Sequence, residues 1–305
     1  MEKLSLEDFL RLKNIVYRSA RPLEYTKWKM LFENGDCGEY LSVLASYQNE
    51  DGGFGHNLEC NNWNPASSPY TVCIALDYLD FIPDYIGKVK DMLIAGIIKY
   101  LSSGEYLSQE GWAGMRGIPT NNDHAHLPWF HYDPKSAADV GVTKRLADFA
   151  LSHADKNSAL YERAAQLKEK YKDSPLILLG GLPDFDPTAL KMKDFDPAVW
   201  PQWLPLPIYY ISSPQSPNYR GLEKTAQANL DTIIASLRNT KDIQRAAEEE
   251  LEAFELANPR DDGKKWCTPE QAIGNYYWGA FYIIRDLDIL RKYGRLDFEL
   301  PLING

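Results

Sequence analysis

The chain has 305 residues, of which 44% are hydrophobic and 25% charged, ordinary proportions for a globular protein and enough to bury a large core. A formal net charge of -10, with no clustered basic stripe against it, argues against a nucleic-acid or anionic-membrane partner. No apolar run approaches membrane-spanning length, and the acidic start Met1–Asp8 lacks an apolar signal core, so a cytoplasmic protein without membrane insertion is expected.

Ser5-Leu6-Glu7-Asp8 reads as a capping box with Asp at its last position. Leu6, Phe9, Leu10, Leu12, Ile15 and Val16 follow near helical spacing. Pro22 starts a second short helix carrying Trp28, Leu31 and Phe32, and Asn34-Gly35-Asp36 breaks it. Tyr40, Leu41, Val43, Leu44 and Tyr47 make a third helix, which runs into Gln48-Asn49-Glu50-Asp51-Gly52-Gly53-Phe54-Gly55-His56-Asn57-Leu58-Glu59. Glycine at 52, 53 and 55 permits a tight turn and close backbone approach, and Asp51 before the glycine pair favours that turn.

Pro65-Ala66-Ser67-Ser68-Pro69 supplies a stop, a cap and a helix-start proline for a helix from Tyr70 to Leu79. A longer helix is expected from Ile86 to Leu101. Gly111 to Pro134 reads as a second long loop, with Trp112, Trp129, Phe130, Tyr132, His124, His126 and His131. Ser136-Ala137-Ala138-Asp139 is a possible capping box for a helix to about Ser152, and a polar helix follows from Ser158 to Tyr171.

Gly180-Gly181 opens an irregular stretch to about Tyr219, with Asp-Phe-Asp-Pro at Asp184 and again at Asp194, and with Trp200, Trp203, Tyr209 and Tyr210. Leu222 to Leu237 and Ile243 to Leu256 are two further helices. Thr268-Pro269-Glu270-Gln271 is a strong helix start, and the last helix runs to Tyr293 with Gly294 as its C-cap. No segment reads as a convincing strand and no linker divides the chain, so the expectation is one all-α domain spanning residues 1–305.

Glu59 and Asp51 are candidate catalytic carboxylates, Glu59 pairing with Asp51 or with Asp123. Equally, Asp51 can cap the turn and Glu59 can bond backbone amides. His126 is a candidate acid or base. His124, His126 and His131 could bind zinc, but loop histidines at mixed spacing are a weak signal, and no metal or other cofactor is expected. Phe54, His56, Trp112, Trp129, His131, Trp200 and Trp203 are candidate substrate contacts, the aromatics offering stacking faces or cation–π attraction, with loop packing as the plain alternative. The four cysteines, Cys37, Cys60, Cys73 and Cys267, form no C-x-x-C pair and read as free thiols.

Gln48-x-x-Asp51-Gly52-Gly53-Phe54-Gly55, followed by Ser68-x-x-Thr71 and Ala75-Leu76-x-x-Leu79, resembles the squalene-cyclase-type repeat of the terpenoid cyclase and protein prenyltransferase superfamily. Weaker echoes stand at Gly111-Trp112 and Gly180-Gly181. The whole chain is also similar to a group of small bacterial proteins of comparable length. The resemblance implies an α/α toroid, with inner and outer helices around a central cavity and the glycine loops at one end. The family's Asp-x-Asp-Asp acid, its Asp-Asp-x-x-Asp/Glu metal motif and its Asp-x-Cys zinc ligands have no counterpart here. Three readings follow: an enzyme acting on an isoprenoid or other apolar small molecule, a carbohydrate-active hydrolase or lyase, or a non-catalytic binding scaffold. Oligomeric state is left open. In a toroid, the loop from Asp51 to Trp63 would meet the loop from Trp112 to Tyr132, and the site is expected there, with burial raising the Glu59 carboxyl towards a general acid's range.

Overall fold

The computed structural model describes residues 1–82, 87–136, 138–174, 177–178, 182–183, 207–211, 213–216, 219–240, 252, 256 and 273–300. Both Asp-Phe-Asp-Pro segments, Trp200, Trp203, Cys267, the Thr268 helix start and most of the helix expected from Ile243 lie outside the described residues. The described chain is mostly helical, as expected. Its helices are α1 (Leu6–Ser19), α2 (Pro22–Phe32), α3 (Cys37–Ala45), α4 (Pro69–Leu79), α5 (Gly87–Ser103), α6 (Val140–His153), α7 (Ala159–Lys170), α8 (Glu223–Asn239) and α9 (Ile273–Lys292). The named strands among the described residues are two of two residues each, Ile177–Leu178 and Leu182–Pro183. Among the described residues no helix is long and apolar enough to cross a membrane.

The chain divides into two compact units. One comprises Met1–Gly35, Leu182–Arg245 and Tyr277–Gly305; the other comprises Asp36–Gly181 and Ala246–Tyr276.

In the first unit, Ser5 caps α1 by accepting the N–H of Asp8, and its hydroxyl donates to the Asp8 carboxylate rather than leaving that carboxylate to the Ser5 N–H. The buried face of α1 carries Phe9, Leu12, Ile15 and Val16. Phe9 stacks on Trp28 of α2 at 5.2 Å between ring centroids, and Trp28 meets Phe32 at 4.7 Å. Glu33, just past α2, fastens the two helices together. It accepts bonds from Lys13 at 2.7 Å, the Tyr17 hydroxyl at 2.5 Å and the Trp28 indole at 2.9 Å. Arg11 donates to the carbonyls of Leu237 and Thr240 at the end of α8, where the helix dipole concentrates negative charge. The two ends of the chain are tied in one short ladder: Leu4 donates to the Arg295 carbonyl at 2.9 Å, and Asp297 donates back to Leu4 at 3.1 Å. The buried Arg295 guanidinium bonds the Glu2 carbonyl, Gln227 and Asp231. Gly294 ends α9 in the left-handed conformation, as expected.

In the second unit, α6 packs on α7 and α4, and α5 packs on α3. One helix–loop–helix device occurs twice. After α3, Asn49 and Gly53 bond across a turn, and Gln48 bridges Phe54. After α5, Ser108 and Gly111 bond across a turn, and Leu107 bridges Trp112. Both aromatics are fully buried. In each loop the aromatic's carbonyl accepts the N–H of the residue that caps the next helix: Phe54 from Ser68 at 3.3 Å, Trp112 from Asp139 at 2.9 Å. Ser68 then caps α4 through the Thr71 N–H, and Asp139 caps α6 through the Val142 N–H. The cap of α6 is therefore Asp139 rather than Ser136. Its own N–H is already bound to the Trp112 carbonyl, which holds the chain extended until that residue.

Gly52 carries the first turn at φ +93, and a Cβ there would stand 2.0 Å from the Gly96 carbonyl oxygen of α5. Gly52→Ala is expected to cost about 3 kcal/mol or more, combining steric overlap with left-handed strain. Gly104 has φ +73 but nothing within 4 Å of its missing Cβ. Gly104→Ala should then cost only the left-handed term, about 1 kcal/mol. Denaturant unfolding of the two variants checks the contrast; equal losses would refute it.

Partial burial pushes the Glu33 carboxyl upward, but its bonds from Lys13, Tyr17 and Trp28 outweigh this and hold it below the ordinary 4.5. A carboxyl lowered on folding contributes stability that is present above its unfolded value and is lost as pH falls through its folded one. Glu33→Gln should lower stability at neutral pH and flatten the loss of stability on acidification below about pH 4.5. Thermal unfolding followed across that range reads both effects.

Candidate functional site

The loop after α3 and the loop after α5 are joined through their own backbones. Asn62 bridges His126 in antiparallel sense, Trp63 donates to the Ala125 carbonyl at 2.8 Å, and Leu127 donates to Asn61 at 3.0 Å. The expected meeting of the two loops is therefore present within the second unit.

Asn121 stands at the centre of the junction and is almost fully buried. Its side-chain oxygen accepts from Asn62 at 3.0 Å and from Asn64 at 2.9 Å. Its amide nitrogen donates to the carbonyls of Met115 at 2.9 Å and Phe130 at 3.0 Å. Both lone pairs and both N–H groups are used, the full capacity of an amide. Asn64 adds a bond to Thr120 at 2.8 Å and accepts from the Ala66 N–H.

The candidate residues fall into three groups. The two carboxylates hold backbone. Asp51 accepts the Gly53 N–H at 2.8 Å and the Ser67 hydroxyl at 2.7 Å with one oxygen. Glu59 is 5% exposed and accepts the Asn61 N–H at 3.0 Å. Burial first, then the Glu59 charge, push the Tyr70 hydroxyl well above the ordinary tyrosine value, and the Tyr70 ring meets Phe130 edge-on at 5.5 Å.

The second group is buried aromatic. Phe54 and Trp112 both have 0% exposure, so their rings lie in the core beneath the loops. The third group is accessible. His56 is exposed at φ +54 and bonds Asn49 at 2.7 Å. Trp129 is 38% exposed and Trp63, which sequence reasoning passed over, is 39% exposed. His126 Nδ1 lies 2.7 Å from the His124 carbonyl oxygen, and His126 Nε2 lies 3.3 Å from His131 Nδ1. A carbonyl only accepts, so His126 Nδ1 carries the proton. The other nitrogen of that ring is thereby left to meet His131 Nδ1. The rings lie 5.5 Å apart at 23°.

The asparagines were also passed over. Their only local signal is the density of Asn at 61, 62 and 64, because their partner Asn121 is remote in sequence. Among the described residues no group of three or more His, Cys, Asp or Glu is arranged to hold a metal ion. No protein-family model, no curated protein and no solved structure matches the chain.

Asn121→Asp keeps the shape and replaces two donors with an acceptor facing two carbonyls. It is expected to cost about 2 kcal/mol or more, since the two carbonyls lose their donors and meet a charge. Asn122 is exposed, and among the described residues its oxygen accepts the Tyr132 N–H at 2.9 Å while its nitrogen makes no bond. Asn122→Asp retains that acceptor and should stay within about 0.5 kcal/mol of the parent. Paired urea titrations decide; indistinguishable midpoints would show that Asn121 does not organise the junction.

Proposed function

We propose that the chain is an enzyme of the α/α-toroid type, as the glycine-loop resemblance implies, with its ligand at the junction of the two loops. We take that ligand to be a carbohydrate or similar polyhydroxylated molecule. The observation that carries this reading is the pair of accessible indoles, Trp63 and Trp129, on segments that flank an amide- and imidazole-rich junction. Sugars combine apolar ring faces, which stack on indole, with hydroxyls that need donors and acceptors. The repeated helix–glycine loop–helix device supports the toroid.

An isoprenoid chamber asks for aromatic faces turned onto the substrate and few competing polar groups. The two aromatics that the glycine loops contribute, Phe54 and Trp112, are buried in packing instead, and the two accessible indoles stand beside asparagine and histidine side chains. The isoprenoid reading is therefore the less favoured of the two. In the favoured one, the bonded pair His126 and His131 supplies the imidazole that exchanges a proton with a hydroxyl or a water.

The test is titration of the chain with a panel of oligosaccharides, following indole fluorescence. A saturable change is expected, and Trp129→Ala should weaken binding about tenfold, the equivalent of ~1.4 kcal/mol. Saturable binding of a prenyl diphosphate with no response to any sugar would overturn the reading.

A further inference from the structure

The fold supplies the loop histidines with what their spacing in sequence lacks. His126 lies on the segment that bridges Asn62, and the next residue, Leu127, donates to the Asn61 carbonyl at 3.0 Å. His131 follows the short helical turn Pro128–Phe130 and donates its backbone N–H to the Pro128 carbonyl at 3.1 Å. Two adjacent asparagines hold the chain on either side of His131. Asn121 donates to the Phe130 carbonyl at 3.0 Å, and Asn122 accepts the Tyr132 N–H at 2.9 Å. Both imidazoles are therefore carried by backbone that is tied down beside them.

The two rings face each other through His126 Nε2 and His131 Nδ1, which stand 3.3 Å apart. An N–H hydrogen bond commonly spans roughly 2.7–3.2 Å, so this separation is long for one. Two nitrogens that each lie about 2.05 Å from a tetrahedral zinc ion are roughly 3.3–3.4 Å from one another. The remote nitrogen of His126, Nδ1, lies 2.7 Å from the His124 carbonyl oxygen. Metal-bound imidazoles ordinarily make such a bond at the remote nitrogen, because it orients the ring and leaves the near nitrogen to give its lone pair. Both histidines are half-buried, so an ion from solvent can reach them.

We propose that His126 Nε2 and His131 Nδ1 together bind a divalent ion of the zinc class. Imidazole is a borderline donor that suits zinc, whereas calcium and magnesium take oxygen. Among the described residues no group of three or more His, Cys, Asp or Glu is arranged around an ion, so the pair supplies two ligands and water fills the other positions. The ion is then exchangeable, held less tightly than one enclosed by four protein ligands. His124 serves through its backbone carbonyl, and its side chain is exposed. The proposal does not rest on the carbohydrate reading. An ion here uses the nitrogens that would otherwise exchange a proton, so its binding takes the pair out of that role.

The probe is zinc chloride, titrated by calorimetry into the full chain without an affinity tag. One saturable equivalent is expected. His126→Ala and His131→Ala should each weaken binding about tenfold or more, since even the loss of an outer contact to a ligand costs that much. His124→Ala removes only the exposed ring, keeps the carbonyl, and should change the affinity less than twofold. A measurement on the parent chain guards against a variant that fails to fold: zinc should move the imidazole NMR signals of His126 and His131 and leave that of His124 in place. No zinc binding by the parent chain overturns the proposal. So does an affinity that survives both His126→Ala and His131→Ala, or one that falls as far in His124→Ala as in either of them. Zinc shifts confined to other histidines overturn it as well, and leave the 3.3 Å contact as a hydrogen bond. The sugar titration is read by indole fluorescence and this one by heat and imidazole signals, so either can fail while the other stands.

Discussion

The second unit depends on the close approach of two backbones, at Gly52 and Gly96. Neither residue has a Cβ, and either Cβ would collide: Gly52 with the Gly96 carbonyl, Gly96 with the Gln48 amide. With both absent, Gln48 can donate at once to the Gly52 carbonyl at 3.0 Å and to the Leu93 carbonyl at 3.0 Å. One side chain thereby satisfies a loop oxygen and a helix oxygen, and fixes α5 across the turn. A looser contact would leave those carbonyls short of a donor in a region with little access to water.

The loop after α5 solves the same problem with a side chain in place of a helix backbone. Gly111, at φ +132, lies against Thr143, whose hydroxyl accepts the Trp112 N–H at 3.0 Å. In both loops, the aromatic that follows the turn drives its ring into the core and uses its carbonyl to hold the next helix cap. Its burial and its backbone role are coupled, since the residue that closes the bridge must also anchor the loop. The accessible indoles are therefore those of Trp63 and Trp129, while Phe54 and Trp112 are sealed beneath the loops.

Local chemistry was legible in the sequence. Ser5, Ser68 with Pro69, and Ser158 each cap a helix where a short polar residue precedes an apolar run. Ser136 misleads because the cap is decided by a bond from Asp139 to Trp112, which no local pattern encodes. The meeting of the two loops could be anticipated from a repeat, but its content could not. Glu59 follows an apolar Leu and has no obvious turn role, yet it bonds the N–H two residues ahead. The Asn62–Asn64–Asn121 network has no period and no spacing to betray it, because amide pairs are made by the fold.

That network also explains where the chain keeps its charge. A junction built from ion pairs would have to desolvate each partner, and the attraction repays that cost only with ideal geometry. Amides carry no net charge and offer two donors and two acceptor sites each, so Asn121 can bind four groups in a dry centre at lower cost. Buried ion pairs are used elsewhere, as where Arg21 holds Glu24 at 2.6 Å inside the first unit, a bond between groups three residues apart on one helix start. Carboxylates at the loop surface face no such requirement. Asp51 spends one oxygen on the turn, binding the Gly53 N–H and the Ser67 hydroxyl, and keeps its charge exposed to water.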